Sequence, residues 1–285
     1  LAAGDKGGRI VIFQRADTPR AAVTDTGDGS GSETRRHHKH APKAEFRFFA
    51  EFQSHEAEFD CLKSMEIEEK INKIAFLPRF NAGLMLMTTN DKTVKLWKVF
   101  PKSVYQMLSP VYSPTASPVV LPEIEPVEET MTAVPKRIYA NAHSFHINSI
   151  SLSSDQQTFL SSDDLRINLW SLESSADGFN IVDIKPENMD ELSDVITCAS
   201  FHPTDCSQFS YSTSKGIVRL CDLRAAALCD RAAKSFSVDE DPSQKSFFSE
   251  IIGSISDMKY SMDGRYILTR DFMTMKLWDI AMERQ

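Results

Sequence analysis

One short pattern recurs along the chain: an alternating apolar segment that ends in Trp-x-Leu, Trp-x-Val or Trp-x-Ile. The copies are TVKLWKV (93–99), RINLWSL (166–172), MKLWDI (275–280) and, in weaker form, RIVIFQ (9–14) and IVRLCDL (217–223). Phe13 and Cys221 take the tryptophan position in the two weaker copies. Alternation with β-branched residues predicts half-buried strands. Repetition of one such unit predicts an array of similar sheets.

A histidine precedes two of the tryptophans at intervals typical of WD40 repeats. His143 lies 27 residues before Trp170 (170 − 143), and His55 lies 42 residues before Trp97 (97 − 55). In the WD40 signature a Gly-His pair and a Trp-Asp pair mark each blade, and here Ala or Ser replaces the glycine. We expect a buried hydrogen-bonded set in these blades. Its predicted members are His55, Asp91, Trp97, His143, Trp170 and Trp278.

Two polar segments explain why the copies are spaced more widely than the roughly 40–45 residues of a WD40 blade. Residues 16–44 hold almost no core-forming side chains, and residues 101–135 contain seven prolines. Such segments bury too little apolar area to offset their ordering entropy, so both are predicted to be mobile loops. Residues 45–52 alternate and predict a strand, whereas residues 58–76 fit a helix and a strand about equally.

Composition excludes several function classes. The net charge of -8 argues against generic nucleic-acid binding, and no apolar run approaches the ~20 residues needed to cross a bilayer. The five cysteines show no zinc or disulfide spacing, and the basic neighbours of His37, His38 and His40 would repel a metal ion. No nucleophile or phosphate-loop motif is present. We expect no metal, no cofactor and an intracellular location, in the cytoplasm and also the nucleus.

The stretch SSDDLRINLW places two carboxylates, Asp163 and Asp164, directly before an alternating strand. Asp164 lies six residues before Trp170, as Asp91 does before Trp97. The pattern therefore predicts that Asp164 and Asp91 are the structural turn residues and that Asp163 is exposed. Aspartate is common in turns because its carboxylate accepts backbone N–H bonds. From the pattern alone, a turn role for Asp164 is favoured over a ligand-binding role.

Longer blocks of sequence are more specific than the repeat. They are EFDCLKSMEIEEKIN (58–72), TNDKTVKLWK (89–98), ANAHSFHINSISLSSD (140–155), DDLRINLW (163–170), FNIVDIKPENM (179–189), SKGIVRLCDLR (214–224), SFFSEII (246–252) and SISDMKYSMDGRYILTRD (254–271). Together they resemble the B-type WD40 regulatory subunits of protein phosphatase 2A. The resemblance implies an all-β, seven-bladed propeller that is not an enzyme and that joins a helical-repeat scaffold subunit and a catalytic subunit in a heterotrimer rather than a homo-oligomer.

The resemblance also implies two surfaces. One is an acidic groove for phosphoprotein substrates with basic residues near the phosphosite, at Lys6, Phe145, Asp163, Asp164, Asp190 and Leu192. The other is a protruding β-hairpin at 58–71 that reaches the scaffold through Glu58, Phe59, Asp60, Leu62, Lys63, Glu66, Ile67 and Glu68. Under this interpretation Asp164 has a second role beside the turn.

About five blades are visible, so we expect residues 1–285 to be a single partial propeller domain from a longer chain. An open propeller exposes strand edges, which favours aggregation. Two rival functions remain. One is a generic WD40 interaction scaffold that is not tied to a phosphatase. The other is a propeller enzyme, which would need convergent titratable side chains that the inner-strand segments do not offer.

Overall fold

The computed structural model describes residues 1–16, 45–61, 64–78, 83–107, 124–174, 178–226, 228–229, 232–238 and 251–282. Of the predicted loops, residues 17–44 and 108–123 lie outside this part of the chain.

The described residues form five antiparallel sheets and one small hairpin. The first sheet has β1 (Ala2–Gly4), β2 (Arg9–Ala16) and β3 (Glu45–Gln53), and the hairpin has β4 (Glu58–Asp60) and β5 (Met65–Ile67). The second sheet has β6 (Lys73–Phe76), β7 (Leu84–Thr89), β8 (Val94–Met107) and β9 (Ile124–Tyr139). The third has β10 (Ser149–Leu152), β11 (Thr158–Ser162), β12 (Arg166–Ser171) and β13 (Gly178–Asp183). The fourth has β14 (Ile196–Phe201), β15 (Gln208–Thr213), β16 (Val218–Asp222) and β17 (Lys234–Phe236). The fifth has β18 (Asp257–Tyr260), β19 (Tyr266–Arg270) and β20 (Met275–Asp279).

The core lies between successive sheets rather than in one central cluster. Ile10 and Ile12 of the first sheet pack with Trp97 of the second, and Tyr139 of the second packs with Trp170 of the third. Further clusters join the third sheet to the fourth and the fourth to the fifth. Each sheet therefore packs against its neighbours in chain order, which is the arrangement of propeller blades. The predicted all-β WD40 architecture is confirmed.

The recurring tryptophan occupies an equivalent place in each sheet. Trp97, Trp170 and Trp278 lie opposite apolar residues on the preceding strand, and Cys221 lies opposite Phe209 in the same way. Each indole N–H donates to the hydroxyl of a residue nine positions earlier. The acceptors are Thr88, Ser161 and Thr269, at 3.1, 2.8 and 2.9 Å. A buried indole thus keeps its polar atom paired while its rings fill the space between sheets.

Strand alternation divides the loops between two faces. The β7–β8, β11–β12 and β15–β16 turns hydrogen-bond to the segments that enter the following sheets, for example Ile147 N–H to Asp91 O and Ile196 N–H to Asp164 O. We call the face that carries these turns the upper face. In antiparallel sheets the connections after the first and third strands of a blade emerge at the opposite end, which we call the lower face.

The second sheet carries a long two-stranded ribbon towards the lower face. β8 and β9 pair continuously from Val94↔Tyr139 to Met107↔Ile124, well past the four residues of β6. Residues 101–107 and 124–135 of the predicted loop are therefore strand, and the loop prediction is wrong for them. Pro126 and Pro135 are tolerated because they lie next to register shifts in the pairing.

The ambiguous segment at 58–76 contains strands and no helix in its described residues. Glu58 pairs with Ile67, and Asp60 pairs with Met65, which forms the β4–β5 hairpin. Ser64 adopts a positive φ of 52°, as the reversal between two short strands requires. The isoleucines at helical spacing instead belong to separate strands and to the connection between them.

A glycine substitution tests the packing around Trp170. A methyl group on Gly178 of β13 would approach carbons of the Trp170 ring to 2.7 Å, and this ring is fixed between Tyr139 and Phe159. We expect Gly178→Ala to lower the free energy of unfolding by about 1–3 kcal/mol. Gly253→Ala is the control, because a methyl group there meets no atom within 4 Å. Urea unfolding followed by tryptophan fluorescence measures both; equal values for the two variants would contradict the packing described here.

Candidate functional site

Three upper-face turns are built in the same way. The side-chain Oδ1 of Asn90, Asp163 and Asp271 accepts the backbone N–H groups two and three residues further on. Each of these residues lies seven positions before its tryptophan (97 − 90, 170 − 163, 278 − 271). The acceptor must be the first residue of such a turn because its side chain reaches forward over the turn backbone. The structural carboxylate is therefore Asp163, and the assignment of Asp164 and Asp91 to that place is wrong.

Asp163 ends a buried hydrogen-bond chain. Trp170 Nε1 donates to Ser161 Oγ, which lies 2.6 Å from His143 Nε2, and His143 Nδ1 lies 2.9 Å from Asp163 Oδ2. Burial acts to raise the pKa of Asp163, but hydrogen bonds from His143 and from the backbone of Leu165 outweigh it, so the pKa is lowered. A fully buried carboxylate with all these partners stabilises the blade, and it has no surface to offer a ligand.

In the preceding blade, different side chains link the buried histidine to the tryptophan. His55 Nδ1 lies 3.0 Å from Ser54 Oγ, which bonds Thr88, the acceptor of the Trp97 N–H. Burial, followed by the charge of Lys95, lowers the pKa of His55 to about 4, against the opposing hydrogen bond to the Thr93 carbonyl. The ring is buried and neutral at physiological pH, as a structural histidine requires.

Asp164 lies beside the hydrogen-bond chain that ends at Asp163, but at the surface of the upper face. It is half-buried, and its main-chain carbonyl accepts the N–H of Ile196, the first residue of the next blade. Burial and the charge of Asp163 raise the pKa of Asp164, while His146, a hydrogen bond from Asn148 and the charge of Lys92 oppose them. The negative charge of the Asp164 carboxylate is therefore only partly offset by the groups around it.

Asp91 also faces the surface instead of closing its turn. Its Oδ1 accepts from Asn72 Nδ2 at 2.8 Å, and its Oδ2 lies 2.9 Å from Nδ1 of His146, whose side chain is 66% exposed. Asn72 also donates to the Ile147 carbonyl at 3.1 Å. Asp91 and His146 thus belong to the same surface patch as Asp164.

A cleft of about 470 Å³ opens between this patch and the β4–β5 hairpin. Its lining residues are Glu66, Glu68, Lys70, Ile71, Asn72, Asp91, His146, Ile147 and Asn148. Three carboxylates and one lysine line the cleft, so its charge favours cations. We call it the acidic cleft.

The hairpin is held against the upper face at its base. The Asn90 amide donates to the Glu68 carbonyl at 3.1 Å, and the Ile71 N–H donates to the Asp5 carbonyl at 3.2 Å. Among the predicted hairpin contacts, Glu58 and Phe59 are exposed, whereas Asp60 and Ile67 are half-buried. Leu62 and Lys63 lie outside the described residues. Because of this placement, Glu66 and Glu68 contribute to the acidic cleft.

The other predicted groove residues lie around the same face. Asp190 belongs to a 3₁₀ turn at Met189–Glu191, and Leu192 follows it with 37% exposure. The loop that carries them is tied at both ends, by Ile184 N–H to Leu165 O and by Ile196 N–H to Asp164 O. Lys6 is exposed in the β1–β2 turn and Phe145 is half-buried beside His146.

Sequence reasoning did not single out His146 or Asn72 as site residues. The sequence carries one local signal for His146, which follows the structural histidine His143 by three residues. In the part of the chain that the structure describes, no group of three metal-ligating side chains converges. Nor does any described helix have the length and apolarity to span a membrane.

Comparison with known proteins identifies relatives that agree with one another in kind. Residues 135–171 match the family described as WD domain, G-beta repeat. The chain is 51% identical over 294 residues to serine/threonine-protein phosphatase 2A regulatory subunit sur-6 of Caenorhabditis elegans, covering 100% of this chain and 56% of the relative. It is 52% identical over 291 residues to the B beta isoform of the serine/threonine-protein phosphatase 2A 55 kDa regulatory subunit of Carassius auratus, covering 99% and 62%. The chain thus spans less than two thirds of either relative.

Paired substitutions separate the two adjacent carboxylates. Asp163→Asn keeps the backbone acceptor that Asn90 provides in the preceding blade but loses the charged bond to His143, so we expect a loss of about 1–3 kcal/mol in unfolding free energy. Asp164→Asn should be neutral or slightly stabilising at pH 7, because the folded state disfavours its charge. Urea unfolding at pH 7 measures both; a larger loss for Asp164→Asn would contradict the assignment.

The pH dependence supplies a second test. The folded-state pKa of Asp163 is lowered, so its contribution is present above the pKa of an unfolded aspartate, about 3.9, and is lost as pH falls through the folded value. The stability difference between wild type and Asp163→Asn should therefore shrink below about pH 4. A difference that stays constant from pH 7 to pH 3 would count against this linkage.

Proposed function

The chain belongs to the family of WD40-repeat 55 kDa B-type regulatory subunits of serine/threonine-protein phosphatase 2A, and from this premise we propose that it acts as the non-catalytic, substrate-selecting part of such a phosphatase. In this role it joins a helical-repeat scaffold subunit and a catalytic subunit in a heterotrimer. It recruits phosphoproteins that carry basic residues near the phosphorylated Ser or Thr, in the cytoplasm and the nucleus.

The observation that carries the substrate part of the proposal is the acidic cleft with Asp164 beside it. Glu66, Glu68 and Asp91 line the cleft, and Asp164 is a half-buried carboxylate whose charge is disfavoured in the free protein. A lysine or arginine of a substrate would supply the missing countercharge. Such complementarity steers and orients a partner more than it adds raw affinity.

Leu192 and Phe145 add apolar contacts that charges cannot provide. Leu192 is more than one-third exposed on the loop tied to Asp164, and Phe145 adjoins His146 on the upper face. A small number of apolar anchors surrounded by polar groups is typical of protein recognition surfaces. We therefore assign Phe145, Asp164, Asp190 and Leu192 to the substrate surface, with Lys6 at its edge.

Docking on the scaffold requires an element that leaves the substrate surface free. The family resemblance assigns this role to the hairpin at 58–71, but Glu66 and Glu68 of that hairpin line the acidic cleft. The β8–β9 ribbon extends instead towards the lower face and exposes Val104, Tyr105, Ile124 and Val127. We propose that a two-stranded hairpin contacts the scaffold. The β8–β9 ribbon extends towards the face opposite the acidic cleft, so we favour the ribbon over the β4–β5 hairpin for this contact.

The substrate role predicts a charge-reversal effect without loss of assembly. Asp164→Lys should leave association with the scaffold and catalytic subunits intact and should reduce binding of a basic-flanked phosphopeptide about tenfold or more, since a countercharge becomes a like charge. Co-purification measures assembly, and fluorescence anisotropy of the peptide measures binding. Lys215→Glu, an exposed upper-face reversal in another blade, is the control for general charge effects.

Outcomes of this experiment separate the rival functions. A folded Asp164→Lys complex that binds the peptide as wild type does would contradict the groove assignment. If wild type fails to co-purify with either phosphatase subunit although it is folded, a generic WD40 scaffold is the better description.

Two matched truncations identify the docking element. Replacing residues 103–129 by Asn-Gly joins the paired residues Lys102 and Thr130, and replacing residues 59–66 by Asn-Gly joins Glu58 and Ile67. We expect the ribbon truncation to abolish scaffold co-purification and the hairpin truncation to weaken peptide binding instead. Thermal unfolding monitors the blades in both variants; the reverse pattern of losses would return docking to β4–β5.

A further inference from the structure

One strand position carries a polar side chain in four successive blades, two residues before the tryptophan position. These residues are Lys95, Asn168, Arg219 and Lys276. Three are used within their own blades: Lys95 donates to the Ser54 carbonyl, Asn168 contacts His143, and Lys276 pairs with Asp271 at 2.9 Å. Arg219 differs because its blade has Ser214 at the turn position that holds Asn or Asp in the others.

Without an acidic turn residue, the guanidinium of Arg219 lies over Tyr211. Nη1 donates to the Tyr211 hydroxyl at 3.2 Å, and the guanidinium carbon is 5.9 Å from the centre of the same ring. Within the described residues, Nε and Nη2 have no hydrogen-bond partner and the side chain makes no ion pair. Arg219 is half-buried and its planar donor fork is fixed by the aromatic ring, while part of its hydrogen-bonding capacity is unused.

Arg219 lines a second upper-face cleft, of about 140 Å³. Its lining residues are Ile184, Pro186, Glu191, Leu192, Ser193, Asp194 and Arg219. Ile184, Pro186 and Leu192 are apolar members of the lining, and among the described residues Arg219 is its only basic side chain. The volume suits one or two side chains of a bound peptide, not a folded partner.

We propose that this Arg219–Leu192 cleft binds an acidic side chain of the bound substrate, whose carboxylate accepts from Arg219 while a neighbouring apolar residue packs on Leu192. The inference rests on the proposed substrate role of the upper face and extends it to a second subsite. Arginine and carboxylate match in planar, two-point geometry, which gives specificity as well as affinity.

The two acids in the lining decide which anion fits. Asp194 Oδ1 already accepts from Ser214 Oγ at 2.9 Å and from the N–H groups of Val195 and Lys215 at 3.1 and 3.2 Å. Its charge acts on Arg219, but among the described residues the two side chains form no ion pair. The charge of Asp194, with that of Glu191, repels a phosphate dianion more strongly than a single carboxylate. The cleft therefore favours Asp or Glu over a second phosphorylated residue.

The two clefts lie at successive blade interfaces and carry opposite preferences. The acidic cleft is formed by the second and third sheets, and the Arg219–Leu192 cleft by the third and fourth. A peptide with basic residues at one end and an apolar–acidic pair at the other would therefore bind in one direction only. The sequence between them fixes where the phosphorylated residue is presented.

Peptide binding by the chain itself tests the inference. Three fluorescein-labelled peptides share a basic segment and end in Leu-Glu, Leu-Gln or Leu-phosphoserine. Wild type should bind the Glu peptide about tenfold more tightly than the Gln peptide and also more tightly than the phosphoserine peptide, the size of one charge-assisted bond. Arg219→Met should remove the preference for Glu, and Arg219→Lys should retain part of it.

Arg166→Met is the matched control, because Arg166 is a half-exposed arginine of the neighbouring blade that already pairs with Asp183 at 2.9 Å. It should keep the Glu preference. Equal binding of Glu and Gln peptides by wild type, or an unchanged preference in a folded Arg219→Met, would overturn the inference. Asp164→Asn reports separately on the substrate role: weaker binding of all three peptides is expected there, and unchanged binding with an intact Glu preference would disprove only that role.

Discussion

The bond between a buried indole N–H and a hydroxyl nine residues earlier fixes the geometry on which the rest of this structure depends. It joins the third strand of a blade to the second, and in the third sheet it continues through His143 to Asp163 at the upper face. Because a tryptophan can only donate and a carboxylate can only accept, this series of hydrogen bonds has one direction and one register. The turn that follows is therefore held in place, and with it every side chain that the turn presents to solvent.

This constraint explains why two neighbouring surfaces differ. Where the turn carries Asp163 or Asp271, polar side chains of the blade are used internally. Where it carries Ser214, the described hydrogen bonds of the Arg219 side chain go to Tyr211 alone, and the proposed subsite beside it takes a different side chain from the acidic cleft. Because the ribbon extends towards the lower face, it leaves the two upper-face clefts uncovered. Under the proposed function, recognition and assembly occur on opposite sides of one small stack of sheets.

The repeat predicted the blade-ending strands from residues such as Trp97 and Cys221, because alternation and burial depend on local sequence. It failed at 101–135, where proline content outweighed a pairing pattern that only the partner strand reveals. It also reversed the roles of Asp163 and Asp164. Both are plausible turn residues by type, and only the forward reach of the side chain to the backbone two and three positions on decides between them. Cleft membership, as for Glu66 and His146, depends on contacts between distant segments and leaves no mark on local pattern.

The adjacency of Asp163 and Asp164 has an evolutionary consequence. The first residue carries the fold and the second faces outward, although they are consecutive in the chain. Under the proposed function, a change at the second position alters which partners are favoured while the first position keeps the bonds of the turn. Asn90 likewise closes its turn, whereas the side chain of Asp91 bonds Asn72 and His146. Such a repeat can accept a new side chain at the outward position, because the bonds that hold the turn come from the residue before it.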